Sequence, residues 1–499
     1  MLESKPFIYP FCTAGGCYIY DVNTNKIINV SKEAYDYLDG RGNEIQVITE
    51  NEVNKMIKNG FLSDNKVKEI LHPASKNLNN ILDSTLEKII LQVTQQCNLR
   101  CEYCIYSGDS GHYQNRKHQS KRMSFDIAKK GIDFLITHSQ GSKNINVGFY
   151  GGEPLLEFEL IKKCVEYAKE HAEGKELSFS ITTNATLLNE DIIRYLSEND
   201  IMLSISLDGP REIHNNHRKF AGSGEGSFDK IMENMENLKK KYPEYFKKIL
   251  FNVVVDPMAD FKCISEFFMN FDMVKDVTQM STLPSTNYLE EPFTINENFR
   301  TDYRYEFFKV FLYKLGRLEK KYVSKLNLTY FDRLKSKYNK RTSTLGLYEY
   351  SHPGGPCIPG QMRLFMDVDG VFYPCERVSE ASEVMKIGNV EDGFDLGKCL
   401  RILNVAKVTE ESCKNCWAFR YCNQCAAFAD DIKELTAEKR LKECVNTKRE
   451  IEEQLKDFCT LLELGYDFDA EEEPIIQITK KQWEVKEDDT ETKVAGISF

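Results

Sequence analysis

Gln92–Gly108 reads QVTQQCNLRCEYCIYSG, a strand-like run that passes directly into Cys97, Cys101 and Cys104. This CxxxCxxC array places three thiols within eight residues. Three thiolates can hold three irons of a 4Fe-4S cube and leave the fourth iron open. A fourth Cys would close the cube for electron transfer, whereas an open iron can take an external amino and carboxylate pair. A zinc site or three buried Cys are the alternatives, although structural zinc prefers four protein ligands.

Outward from this array the chain alternates strand and helix. Strand patterns fall near 88–94, 144–150, 177–183, 202–207, 249–255 and 277–283, with helical patterns at 124–138, 157–171 and 227–241 between them. Six such units predict an α/β fold built on a partial (β/α)6 TIM-like barrel whose site lies at the strands' C-terminal ends. The expected domains are 1–85, a βββααα module set off by the polar stretch His72–Asn80; 86–296, the barrel; 297–350, a helical bridge; 351–465, a Cys-rich domain; and 466–499, a mobile acidic tail. That tail holds ten acids and four Lys, or -6 of the formal charge of -11.

A net charge of -11 without a basic, aromatic-interleaved stretch argues against a nucleic-acid partner. No apolar run approaches the length that spans a bilayer and no secretory signal is evident, so we expect no membrane partner and a cytoplasmic location. Sixteen Cys in a chain of 499 residues point there to metal or redox chemistry rather than a disulfide scaffold.

With CxxxCxxC after the first strand of a β/α barrel, residues 87–285 resemble the radical S-adenosylmethionine (SAM) superfamily. The resemblance implies SAM as cosubstrate on the open cluster. In FYGGEP, Gly151, Gly152, Glu153 and Pro154 would form the turn that meets the SAM amino group. Asn184 in ITTNAT and Ser206 and Asp208 in SISLDGP would contact its polar groups, and Arg218 in HNNHRKFAGSGEGSF its carboxylate. Tyr103 would lie near adenine. Against these readings, strand-end polar residues also cap helices and make turns, an Arg in a Gly-rich loop is often solvated, and Tyr103 could simply pack on the cluster.

Farther on, Cys357 and Cys375 flank Gly370 as C-x12-G-x4-C, and CKNCWAFRYCNQC supplies Cys413, Cys416, Cys422 and Cys425 before Cys444. This resembles the SPASM extension, which carries two auxiliary 4Fe-4S clusters, for a total of three. The last internal spacing is two residues where the usual pattern has three. The family's interleaving would give Cys413, Cys416, Cys422 and Cys444 to one auxiliary cluster and Cys357, Cys375 and Cys425 to the other. A zinc ribbon at Cys413–Cys425 is the alternative. Only three Cys fit the second set, so its fourth iron would be open to a substrate thiolate unless Cys399 closes it. Glu376 stands where sulfatase-maturing relatives carry an Asp base. Cys164, Cys263 and Cys459 read as buried small side chains; Cys12 and Cys17, flanking TAGG, have no defensible pairing.

The N-terminal module resembles the winged-helix-like, PqqD-like elements that bind a leader peptide as an added strand; a structural cap is the alternative. Taken together, the resemblance implies a radical SAM peptide maturase. It would cleave SAM reductively to a 5′-deoxyadenosyl radical, abstract hydrogen from a Cys-rich ribosomally made precursor, and form a Cys thioether. A flavodoxin- or ferredoxin-type protein would donate electrons. The rival activities are formylglycine formation as in sulfatase maturases and peptide dehydrogenation, and the non-catalytic rival is an iron-sulfur carrier or scaffold.

Overall fold

The computed structural model describes residues 4–41, 47–106, 117–285, 287–288, 295–343, 346–354 and 356–469. Residues 470–499 of the expected acidic tail lie outside the described residues.

Strands β1 (Ile8–Cys12), β2 (Cys17–Asp21) and β3 (Lys26–Val30) form an antiparallel sheet, followed by helices α1 (Lys32–Leu38) and α2 (Val47–Lys58). Ser31 caps α1 by accepting a hydrogen bond from Ala34 N. Side chains alternate across a strand, so the sheet has two apolar faces. Ile19 packs with Ala34, Val53 and Met56 in the module's own small core. Phe7, Phe11, Tyr20 and Val22 instead join Phe419, Ile451 and Phe458 from the far end of the chain. Cys12 and Cys17, for which the sequence offered no partner, face each other at the turn end of the β1–β2 hairpin and form a disulfide. Strand pairing brings their Cα atoms to 4.2 Å, a proximity that spacing along the chain does not reveal.

After the short strand β4 (Glu69–Ile70), helix α3 (Leu78–Ser84) buries Leu78 and Leu82 in the barrel core. The third helix of the expected 1–85 module thus packs with the barrel. The polar stretch from His72 is not a loose linker: His72 N donates to Asn404 Oδ1 at 2.8 Å.

The barrel alternates β5 (Lys88–Thr94), α4 (Phe125–Thr137), β6 (Asn144–Gly151), α5 (Phe158–His171), β7 (Glu176–Thr183), α6 (Glu190–Glu198) and β8 (Met202–Ser206). It continues through α7 (Arg211–His217), α8 (Phe228–Lys241), α9 (Pro243–Phe246), β9 (Leu250–Val254), α10 (Phe261–Asn270) and β10 (Thr278–Thr282). Strands β5 to β10 pair in sequence order and run parallel, as expected. One sheet face carries Leu91 against Gly131 of α4. The other carries a polar ladder in which Lys88 donates to Ser180 at 3.0 Å, Ser180 to Asn146 at 2.8 Å and Asn146 to Ser178 at 2.9 Å.

Two long helices, α11 (Glu297–Lys314) and α12 (Lys325–Ser343), form the bridge. Beyond the bridge the chain returns to the barrel, a pairing that periodicity does not reveal. After β11 (Tyr350–Ser351), which pairs with β4, strand β12 (Leu364–Met366) adds to the barrel sheet parallel to β5, with Leu364 opposite Ile89. Strands β13 (Val371–Tyr373), β14 (Gly388–Asn389) and β15 (Gly393–Phe394) extend it antiparallel into one ten-stranded sheet. Gly370 turns β12 into β13 at φ +85°, where a Cβ would also meet Val390 at 2.8 Å. Helices α13 (Leu396–Leu403), α14 (Glu410–Lys414), α15 (Ala437–Lys442) and α16 (Cys444–Glu463) complete the Cys-rich region. Arg304 of α11 ties the bridge to α16 through two hydrogen bonds to Asp457, at 3.0 and 2.6 Å.

Candidate active site

The C-terminal end of β5 opens into the loop bearing Cys97, Cys101 and Cys104. Strand β6 ends against that loop. Gly152 N donates to Thr94 O at 2.9 Å and Glu153 N to Gln96 O at 2.8 Å. A Cβ at Gly151 or Gly152 would stand 2.1 Å from Thr94 O or Gln96 O respectively. The close approach that this glycine pair permits is therefore, in the first place, to the Cys loop itself.

Glu153 is 1% exposed and accepts from Leu155 N, Thr183 Oγ1 and Asn184 N at 3.0, 2.7 and 2.8 Å. Burial raises its carboxyl to about 7 against these hydrogen bonds. Asn184 donates to Asn98 Oδ1 at 2.9 Å, with Cys97 Sγ 3.9 Å from the same amide nitrogen. The expected SAM-contacting turn is thus knitted to the first Cys.

On the other side, Arg218 and Asp208 pair with each other. Arg218 Nε donates to Oδ2 at 2.8 Å and Nη2 to Oδ1 at 3.2 Å, and Nη1 lies 3.9 Å from Cys101 Sγ. Tyr103 donates to Asp208 and lies under the guanidinium, 5.4 Å from ring centroid to Cζ. Burial alone would raise the Asp208 carboxyl. The Arg218 charge and hydrogen bonds, helped by His214 and Tyr103, bring it below the ordinary range. Ser206 is buried at the end of β8. Burial pushes the Cys97 and Cys101 thiols up to about 12, so metal coordination must displace their protons.

Two histidines that sequence reading passed over complete this end. His214 Nδ1 accepts from Asp208 N at 3.3 Å while Nε2 meets Ser227 Oγ at 3.0 Å. His217 lies between Asp256 and Glu102, at 2.9 and 3.1 Å. Their proximity to Arg218 in HNNHRKF was the available signal.

The polar sheet face leads from this end to the C-terminal Cys region. Gln92 donates to Tyr106 and Glu380, both at 2.9 Å, joining β5 to the segment after Cys375. At the N-terminal ends of β5 and β12, Arg363 donates to Glu376 Oε1 at 2.7 Å. Glu376 Oε2 is buried without a hydrogen-bond partner. Burial, aided by the Arg363 charge and opposed by Glu376, lowers the Lys88 amine to about 8. Buried carboxylate oxygens are usually hydrogen-bonded, so Glu376 Oε2 is a departure from ordinary packing.

The remaining thiols sort by their electrostatic neighbours. Cys425 feels Cys357, and Cys375 feels Cys425. Cys416 and Cys422 feel Cys413, and Cys422 also feels Cys444. The members of each interleaved set that the resemblance implies therefore act on one another electrostatically. Cys399 stands apart in the apolar core, fully buried on α13, with Sγ 3.9 Å from Ile387 O and Asp395 as the charge acting on it. Among the described residues, no three His, Cys, Asp or Glu side chains are already arranged to hold a single metal ion. All-thiol sets of three and four suit iron-sulfur clusters in donor chemistry.

The radical SAM superfamily model matches residues 91–266. Over 355 residues the chain is 26% identical to the cysteine-type anaerobic sulfatase-maturating enzyme of Clostridium novyi, covering 68% of this chain and 87% of that protein. The uncharacterized protein MJ0907 of Methanocaldococcus jannaschii is 41% identical over 124 residues, 25% of this chain and 39% of its own length. Among solved structures, native anSMEcpe with bound AdoMet and Cp18Cys peptide matches with a TM-score of 0.56 and 21% identity, covering 76% of this chain and 98% of that one. No helix among the described residues is long and apolar enough to cross a membrane.

Proposed function

We propose that this enzyme, which carries a radical SAM domain and is related to anaerobic sulfatase maturases, oxidises a Cys-containing peptide on the inner face of its barrel and joins a substrate Cys sulfur to carbon as a thioether. When bound, SAM and the 4Fe-4S cluster on Cys97, Cys101 and Cys104 supply reductive cleavage to methionine and a 5′-deoxyadenosyl radical that removes hydrogen from the peptide.

The chain's own residues divide the remaining work. The turn Gly151–Glu153, with Asn184, forms one wall of the SAM pocket. Tyr103, Asp208 and Arg218 form the other, Ser206 closes its floor, and the Asp208 pairing orients the guanidinium. The polar face of β5–β8 receives the peptide. Glu376, held through one oxygen by Arg363, accepts a proton on the other. Cys357, Cys375 and Cys425, and Cys413, Cys416, Cys422 and Cys444, would hold two auxiliary clusters, which would supply a sink for the surplus electron. A cluster held by the three-thiol set would offer a site for a substrate thiolate, where coordination would favour the deprotonated, oriented sulfur. The outer edge of β3 receives a leader segment as an added strand, and a flavodoxin- or ferredoxin-type protein in the cytoplasm provides electrons.

The observation that carries this reading is the electrostatic grouping of Cys357, Cys375 and Cys425, in which Cys425 acts on Cys375 and Cys357 on Cys425, while Asp395 is the charge that acts on Cys399. Formylglycine formation is the second reading, favoured by the length of the match to the Clostridium novyi maturase. Anaerobic reaction with a Cys-containing peptide, read by mass spectrometry, separates them. A thioether leaves the product two hydrogens lighter with its sulfur retained, whereas formylglycine from Cys loses the sulfur. Full sulfur loss would overturn the thioether reading.

A further inference from the structure

Arg440 is the largest fully buried side chain described in this protein, 1% exposed on α15. Its surroundings differ from those of the other deeply buried guanidinium. Arg218 meets Asp208 through two hydrogen bonds. Arg440 has no ion pair among the described residues, and its Nη1 is buried without a hydrogen-bond partner. The nearby His352 does not compensate it, since its ring is satisfied by Pro353 O at 2.9 Å and Ala406 N at 3.2 Å, and burial keeps it neutral.

Cysteines lie close to Arg440 along the chain and in space. Its charge acts on the thiols of Cys422 and Cys425. Its backbone oxygen meets Cys444 Sγ at 3.8 Å. With its amide oriented to satisfy both atoms, Gln424, which separates Cys422 from Cys425, donates to that oxygen at 3.2 Å and accepts from Cys444 N at 3.3 Å. Cys422 and Cys444 belong to the four-thiol set and Cys425 to the three-thiol set. Arg440 therefore stands on the segment where the two sets meet, and its charge reaches a thiol of each.

A buried, unpaired charge carries a large desolvation penalty, comparable to that of stripping one partner from a buried ion pair. The fold retains it, so the compensating charge must come from something the cysteines hold. We infer that Arg440 is the shared counter-charge of the two auxiliary iron-sulfur sites, and that it raises the reduction potential of both by stabilising the electron-rich state. Net charge and hydrogen bonds to sulfur are the protein's levers on such potentials. One residue at the junction moves both together and eases the passage of an electron from one set to the other. Arg440 is a tuning residue: it touches neither substrate nor SAM.

This inference rests on the auxiliary clusters of the proposed function, and one experiment separates the two. Full-length wild type, Arg440→Met and Arg440→Lys are reconstituted anaerobically, assayed for iron and zinc, and titrated potentiometrically by EPR. Wild type with about four irons and stoichiometric zinc sinks the cluster assignment itself. With about twelve irons in each protein, Arg440→Met should shift the reduced-to-oxidised ratio at fixed potential at least tenfold toward oxidised, a fall of about 59 mV for one electron. Arg440→Lys should keep the ratio near wild type. Unchanged potentials in a fully loaded Arg440→Met overturn the inference. Should Arg440→Met fail to hold iron, Arg440→Lys decides: retained clusters at near wild-type potential uphold a role of charge, and their loss assigns the position to guanidinium shape and overturns it.

Discussion

Arg218 grips Asp208 with two hydrogen bonds, at 2.8 and 3.2 Å, while the remaining guanidinium nitrogen points to Cys101 Sγ at 3.9 Å. One buried ion pair thereby couples the first Cys loop to the ends of β8 and α7. Removing one partner strands the other charge. Arg218→Met should destabilise the fold by about 3–5 kcal/mol, and Asp208→Asn should cost less because it keeps the side-chain shape. Thermal unfolding of the two variants checks the order; equal Tm values would show that the pair is not buried as described.

The triple variant Cys97→Ala, Cys101→Ala, Cys104→Ala should lower iron from about twelve to about eight per chain, by loss of one four-iron cube, and abolish 5′-deoxyadenosine formation. Persistent SAM cleavage would mean that another Cys set holds the reactive cluster.

Glu376→Gln keeps the acceptor for Arg363 and removes the carboxylate at the buried, partnerless oxygen. Peptide modification should fall by about 10²–10⁴-fold, the usual worth of a general base, while 5′-deoxyadenosine production continues. A variant that modifies peptide at the wild-type rate removes Glu376 from the mechanism.

His217 titrates in a pair of carboxylates. The hydrogen bond to Asp256 raises its pKa, burial opposes, and Glu102 adds a smaller rise. Its protonated form is favoured in the fold, so its contribution to stability is complete below the unfolded value of about 6.5 and is lost as pH rises through the higher folded value. Chemical denaturation of wild type should show this loss above pH 6.5, and His217→Gln should flatten it. A pH slope that survives the substitution would place the titration elsewhere.

Cys399→Ala removes a sulfur from a fully buried site on α13, where Sγ lies 3.9 Å from Ile387 O. It should keep about twelve irons and lose about 1 kcal/mol or somewhat more from the small cavity. Loss of four irons would identify Cys399 as the ligand that closes the three-thiol set.

The local code of this chain is strong where chemistry is carried by neighbours in sequence. CxxxCxxC at Cys97–Cys104, the Gly151–Gly152 turn and the six strand–helix repeats were all legible, because spacing alone brings such thiols together and periodicity alone names such elements. The interleaved Cys sets rest on resemblance to a known pattern, not on spacing alone. What the linear order did not reveal came from long-range pairing. Strand β12 adds to β5, which carries Arg363 and Glu376 to the floor of the barrel beside Lys88. Tyr9 stacks on Trp417 at 3.6 Å, so the N-terminal sheet and the Cys-rich region share one apolar core instead of standing apart. Cys12 meets Cys17 only because β1 pairs with β2. Arg440, an ordinary Arg in the run AEKRLKEC, becomes a buried charge between two Cys sets only when α15 is packed. Sequence determines which groups can do chemistry and which local shapes they adopt; burial and distant contacts are properties of the whole fold, and they alone decide which of those groups lose water and meet.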